Sequence, residues 1–129
     1  MSSAPMPGFV VFAKDVTRLA AFYAGVFGLR AGTAEPGLAV LHADGFMLVI
    51  HGIPETIAAR IDITVPPAIR SDTPLKLFLP VASLAGAGEA AAALGGTLWP
   101  QERAWDGPGF RACDGHDPEG NVFQAREPA

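Results

Sequence analysis

The sequence predicts an α+β fold made of two tandem β-α-β-β-β modules. Three observations carry this: two strand-then-helix segments of matching layout, a hairpin signal after the first helix, and a turn-then-strand signal near the C-terminus. In FVVFAKDVTRLAAFYAGVFG, residues 9–28, an apolar strand-like run gives way to Val16, Leu19, Ala20, Tyr23, Val26 and Phe27 at helical spacing. Asp15 is the expected N-cap and Gly28 the C-terminal stop. LKLFLPVASLAGAGEAAAALGG, residues 75–96, repeats the pattern, with Ser83 as cap, Leu84, Ala87, Ala91 and Leu94 on one face, and Gly96 at the end. Asp15 to Gly28 and Ser83 to Gly96 are equal intervals, so the second unit lies 68 positions after the first.

The remaining strands follow from turn chemistry. Asp44-Gly45 sits between apolar runs and predicts a two-residue hairpin in which Ala43 opposes Phe46, His42 opposes Met47, Val40 opposes Val49 and Leu38 opposes His51. In the second half, strands are expected over 97–100, 109–113 and 121–126, the last entered through the turn Asp117-Pro118-Glu119-Gly120. Module one is thus expected over about 8–52, module two over about 74–127, and a Pro-rich connector over about 53–73. Within the connector, Ile61, Ile63 and Val65 alternate with polar residues as a short edge strand would.

Composition narrows the function. The 129 residues are half apolar, enough for one core and one domain. A net charge of -4 provides no basic surface for phosphates, which argues against a nucleic-acid partner. No apolar run reaches the roughly 20 residues of a bilayer span, and the N-terminus MSSAPMPG lacks the pattern of a secretory signal, so a cytoplasmic protein is expected. The single cysteine, Cys113, has no partner for a disulfide and reads as a buried thiol.

KDVTRLAAFYAGVFGLR, ALGGTL and DPEGNVFQ, in this order within a doubled β-α-β-β-β layout, resemble the vicinal oxygen chelate superfamily of glyoxalases, bleomycin resistance proteins and extradiol-type dioxygenases. The resemblance spans nearly the whole chain. It implies the glyoxalase-like fold: a curled, cup-like mixed sheet with helices outside, a small-molecule cavity, and a homodimer. In metal-dependent members it implies one ligand on the first and one on the last strand of each module. Those positions here are Gly8, Val49, Lys76 and Gln124, of which only Gln124 offers an oxygen, and a neutral one. Hard or borderline divalent ions favour carboxylates and imidazoles, so neither a metal nor another cofactor is expected.

The histidines do not rebuild such a site by the hairpin pairing. His42 and His51 come out four positions apart, about 13 Å at about 3.3 Å per residue, too far to share one ion. His116, beside the Asp117–Gly120 turn, reads as a solvated turn residue or a helper to the local backbone. Strand parity gives an expected cavity lining that includes Val10, Phe12, Met47, Val49, His51, Lys76, Phe78, Val122, Gln124 and Arg126. It is largely apolar with a few polar groups, as small-molecule sites are. Lys76 then either meets an anionic or carbonyl-bearing ligand or snorkels to the rim. His51 is a candidate acid-base group or a histidine hydrogen-bonded within its sheet. Trp99, Trp105 and Phe110, with Arg103 and Arg111, read as core and interface or as a lid.

Two function classes follow. One is a metal-free binding protein of the bleomycin-resistance kind. The other is a lyase or dioxygenase of the same superfamily, with an atypical metal site around Gln124 and His51 or with metal-free acid-base catalysis. An accessory interaction module is a third.

Overall fold

The structure is a computed structural model that describes residues 5–129. Its first half contains β1 (Gly8–Ala13), α1 (Val16–Phe27), β2 (Arg30–Glu35), β3 (Leu38–Ala43) and β4 (Phe46–Gly52). These strands form a four-stranded mixed sheet in the order β1-β4-β3-β2, with β1 parallel to β4. Asp15 caps α1 by accepting a hydrogen bond from the Arg18 backbone N–H, and Gly28 ends it in the left-handed conformation at φ 65°. The hairpin at Asp44-Gly45 has the register expected from the sequence, with Ala43 opposite Phe46 and Leu38 opposite His51.

After a one-turn helix α2 (Glu55–Ala58) come β5 (Leu77–Pro80), α3 (Leu84–Ala93), β6 (Thr97–Leu98), β7 (Trp105–Gly107), β8 (Phe110–His116) and β9 (Val122–Pro128). Their sheet runs β5-β9-β8-β6, with β7 also on β8 and β5 parallel to β9. The offset of 68 is visible in space: Val16 and Leu84 begin the two helices, and Val10↔Val49 in one sheet corresponds to Phe78↔Gln124 in the other. The result is an α+β fold of two curled, unclosed mixed sheets. No helix among the described residues is long and apolar enough to cross a membrane.

Several boundaries differ from the sequence-based expectation. The strand expected over 97–100 stops at Leu98, because the chain turns into a short 3-10 segment at Gln101–Arg103 after Pro100, which has no N–H to give a ladder. β6 and β7 therefore pair with opposite ends of β8. β8 itself runs past Cys113 to His116, since Asp114, Gly115 and His116 all find partners on β9. Leu94 caps α3 instead of belonging to it, and Gly95 at φ 90° lets the Gly96 N–H close onto the Ala91 carbonyl. The alternating segment at Ile61–Val65 forms no strand: Pro66 and Pro67 follow it, and the connector's one bridge is Arg70 to Asn121.

The core lies where helices meet the inner faces of the sheets. Leu19, Phe22, Tyr23, Val26 and Phe27 of α1 are buried with Leu48 and Ile50 of β4 and Phe123 and Ala125 of β9. Cys113 joins this core, and burial raises its thiol pKa, with the Asp114 charge adding to the effect.

The turn before β9 holds the two halves together. Asp117 is fully buried and accepts from the Tyr23 hydroxyl at 2.7 Å, from the backbone N–H groups of Glu119 and Asn121 at 2.9 and 3.1 Å, and from the Asn121 amide. Glu119 reaches back to accept from the N–H groups of Lys14 and Asp15, 2.9 and 2.8 Å away at the start of α1. Gly120, at φ 87°, lies so near the Ala68 carbonyl that an added Cβ would collide with it. The motif that marks the fold in the sequence is thus a clasp between modules. Burial raises both the Tyr23 and the Asp117 pKa; the hydrogen bonds to Asp117 oppose the shift of its carboxyl.

Candidate functional site

Residues paired across strands share a face. In the first sheet Gly8↔Met47, Val10↔Val49 and Phe12↔His51 put Met47, Val49, Phe12 and His51 on the face turned away from α1. Val10 and Phe12 are 51% and 58% exposed, far more than their neighbours in the core. The Phe12 and His51 rings meet edge-on with centroids 5.7 Å apart. His51 Nδ1 lies 2.9 Å from the Gly52 carbonyl, so its proton belongs on Nδ1 and its lone pair on Nε2. His42 pairs with Met47, four positions along β4 from His51.

In the second sheet the corresponding face carries Phe78, Gln124 and Arg126, with Lys76 at the entry to β5. Here the side chains form a continuous chain. Lys76 Nζ donates to Asp114 Oδ2 at 2.7 Å, Gln124 Nε2 donates to Asp114 Oδ1 at 3.1 Å, and Arg126 Nε donates to Gln124 Oε1 at 2.7 Å. The Arg126 guanidinium carbon stands 3.7 Å from the Phe78 ring centroid and 4.1 Å from that of Phe110. Lys76 is therefore paired by a protein carboxylate at a partly exposed position.

Asp114, the hub of this chain, is absent from the sequence-derived lining, because the strand expected over 109–113 ends before it. The turn signal alone does not set this register: five residues, 117–121, separate His116 from its partner Val122, and that spacing puts Asp114 opposite Gln124.

No single cavity among the described residues contains all these side chains. A cleft of about 260 Å³ borders Val10 and Phe12, and one of about 170 Å³ borders Lys76 and Asp114. The two share Arg70, Thr73, Leu75 and Val122 as walls. A cleft of about 580 Å³ lies elsewhere, between the start of α1 and the connector, and includes none of the expected site residues.

The remaining sequence candidates are structural neighbours of this face. His116 is buried instead of solvated, because β8 extends to include it and its Nδ1 accepts the Trp99 indole N–H at 3.1 Å. Arg103 stacks on Trp99, while Trp105 stays exposed against the edge of Phe110. Burial holds the His116 imidazole below its ordinary range, with the Asp117 charge opposing. The unfolded chain then takes up the proton first, so the contribution of His116 to stability is complete above the unfolded pKa of about 6.5 and is lost as pH falls below it. Protonation also turns the acceptor for Trp99 into a donor. In a Trp105→Phe background, Trp99 fluorescence is expected to change below about pH 6.5 as the indole loses its partner. Emission that stays independent of pH from 7.5 down to the onset of acid unfolding would sink this prediction.

The residues at the positions implied for metal ligands do not fit a metal. A side chain added at Gly8 would collide with the Met47 carbonyl and side chain. Val49 has no donor, Lys76 is an ammonium bound to Asp114, and the one oxygen of Gln124 already accepts from Arg126. Among the described residues, no three His, Cys, Asp or Glu side chains come together as a ligand set.

The fold matches a glyoxalase/bleomycin resistance protein/dioxygenase family enzyme from Burkholderia phytofirmans, with a TM-score of 0.67 and 20% identity over 98% of this chain and 100% of that one. A glyoxalase/bleomycin resistance protein from Albidiferax ferrireducens gives 0.66 and 18% over 96% and 98%. The fosfomycin resistance protein FosX from Listeria monocytogenes, whose structure holds Mn(II), gives 0.64 and 14% over 100% and 93%. At these identities the likeness is one of fold. No curated protein matches the sequence. The glyoxalase-like domain profile matches residues 8–125, which is most of the chain, and the protein belongs to that family.

Proposed function

We propose that this is a cytoplasmic, metal-independent small-molecule binding protein of the glyoxalase-like family. Its ligand is held against the exposed sheet faces that carry Phe12, Met47, Val49, His51, Lys76, Phe78, Gln124 and Arg126. The observation that carries this reading is the Lys76–Asp114–Gln124–Arg126 chain. Two of the positions that would hold a metal are committed to each other through Asp114, with cationic groups at both ends. The exposed Phe12 and Phe78 supply apolar surface that a ligand or a second copy would cover. The same surface supports a homodimer in which the partner helps to enclose the ligand. Elemental analysis of protein purified without a metal-binding tag is expected to find far less than one divalent ion per chain. Stoichiometric metal that survives dialysis would overturn the proposal.

One observation favours a second reading, metal-free proton transfer. The contact of His51 Nδ1 with the Gly52 carbonyl leaves Nε2 as an exposed base. On this reading, His51→Asn abolishes turnover of a substrate that the wild-type protein converts while leaving its binding in place. Unchanged turnover rules it out.

A further inference from the structure

We infer that Arg126 is a carboxylate-recognition point, and that the ligand is a small carboxylate carried on an apolar or aromatic body. This rests on the small-molecule reading above and adds the ligand's chemistry. Asp114 is flanked by Lys76 and by the Gln124 amide, and an ionised carboxylate only accepts hydrogen bonds. The Gln124 NH₂ group must therefore face Asp114, which turns its oxygen toward Arg126. The guanidinium is oriented in turn by its Nε–H bond to that oxygen and by Phe78 and Phe110, one from each strand flanking β9.

What this arrangement leaves over defines the ligand. The two terminal nitrogens of Arg126 have no acceptor among the described residues, although the group is held in place. Lys76 and Asp114 neutralise each other, and Arg111 is paired with Asp106 at 3.1 Å, whereas Arg126 meets no carboxylate among the described residues. A planar fork of N–H donors suits the two oxygens of a carboxylate, and an oriented fork loses little further freedom on binding. Beside it, Phe78 and Trp105 are 53% and 46% exposed, and they offer ring surface to the apolar part of the same molecule.

The test compares 1-naphthoate with its neutral counterpart 1-naphthamide, titrated by calorimetry into the full-length protein in a carboxylate-free buffer. The naphthoate is expected to bind at least about tenfold more tightly, within the range for hydrogen bonds to charged groups. Arg126→Gln should abolish that preference. Arg126→Lys, which keeps the charge without the fork and guards against a folding defect in the Gln variant, should retain only part of it. Equal binding of the two probes, no binding of naphthoate, or a preference that survives Arg126→Gln each overturn the inference. So does the finding that Arg126→Gln leaves naphthoate binding intact and splits a dimer, since Arg126 would then be holding a carboxylate of a second copy. Equal binding of both probes leaves the metal-independent binding protein standing; that reading falls on metal content instead.

Discussion

Asp117→Ala is expected to destabilise the protein by about 3 to 5 kcal/mol, as a lower urea midpoint with an unchanged slope. The carboxylate is the common acceptor for the Tyr23 hydroxyl, two backbone N–H groups and the Asn121 amide, all at 2.7 to 3.2 Å. Removing it orphans these donors together in a site closed to solvent. Tyr23→Phe deletes one donor and leaves the rest satisfied, so its cost should be nearer about 1 kcal/mol. Combining the two changes should cost less than their sum, because the orphaned hydroxyl is then gone. A loss below about 1 kcal/mol for Asp117→Ala would show that the clasp is not what joins the halves.

Phe123→Ala should cost a comparable amount, about 3 to 5 kcal/mol. Phe123 is fully buried in the second sheet, yet its ring centroid lies 5.7, 6.4 and 5.3 Å from those of Phe22, Tyr23 and Phe27 on α1 of the first module. Alanine leaves a cavity bordered by three rings that are themselves fixed by the helix. Phe123→Leu fills most of that volume and should cost less than about 1.5 kcal/mol. Both variants should still present the Lys76–Arg126 face at temperatures where they are folded, since Phe123 points to the opposite side of β9. If Phe123→Ala were as mild as the leucine change, the aromatic cluster would be able to collapse into the gap, and the modules would be less tightly joined than their packing implies.

The two variants also mark how far the sequence could be read. The repeat offset, the caps Asp15 and Ser83, and the register across Asp44-Gly45 all follow from short-range chemistry, and all recur in the structure. Where local signals conflicted with pairing, pairing decided. Cys113 looked like the end of a strand until Asp114, Gly115 and His116 found partners on β9. The alternating Ile61–Val65 segment found none.

For the candidate site, strand parity put Phe12, His51, Phe78, Gln124 and Arg126 in one expected lining, whereas the structure divides them between a face of the first sheet and a face of the second. The sequence could not show that Lys76 and Gln124 share Asp114, because that contact joins residues 38 and 10 positions apart across three strands. Nor could it show that Glu119 reaches residues more than 100 positions earlier. By itself, then, the sequence determined the repeated modules, their turns and which side chains share a face within a strand or hairpin, since each depends on neighbours within a few residues. Only the tertiary structure decided which polar groups satisfy one another, and so that Arg126 keeps an uncommitted fork, because hydrogen-bond partners are fixed by distance in space and not along the chain.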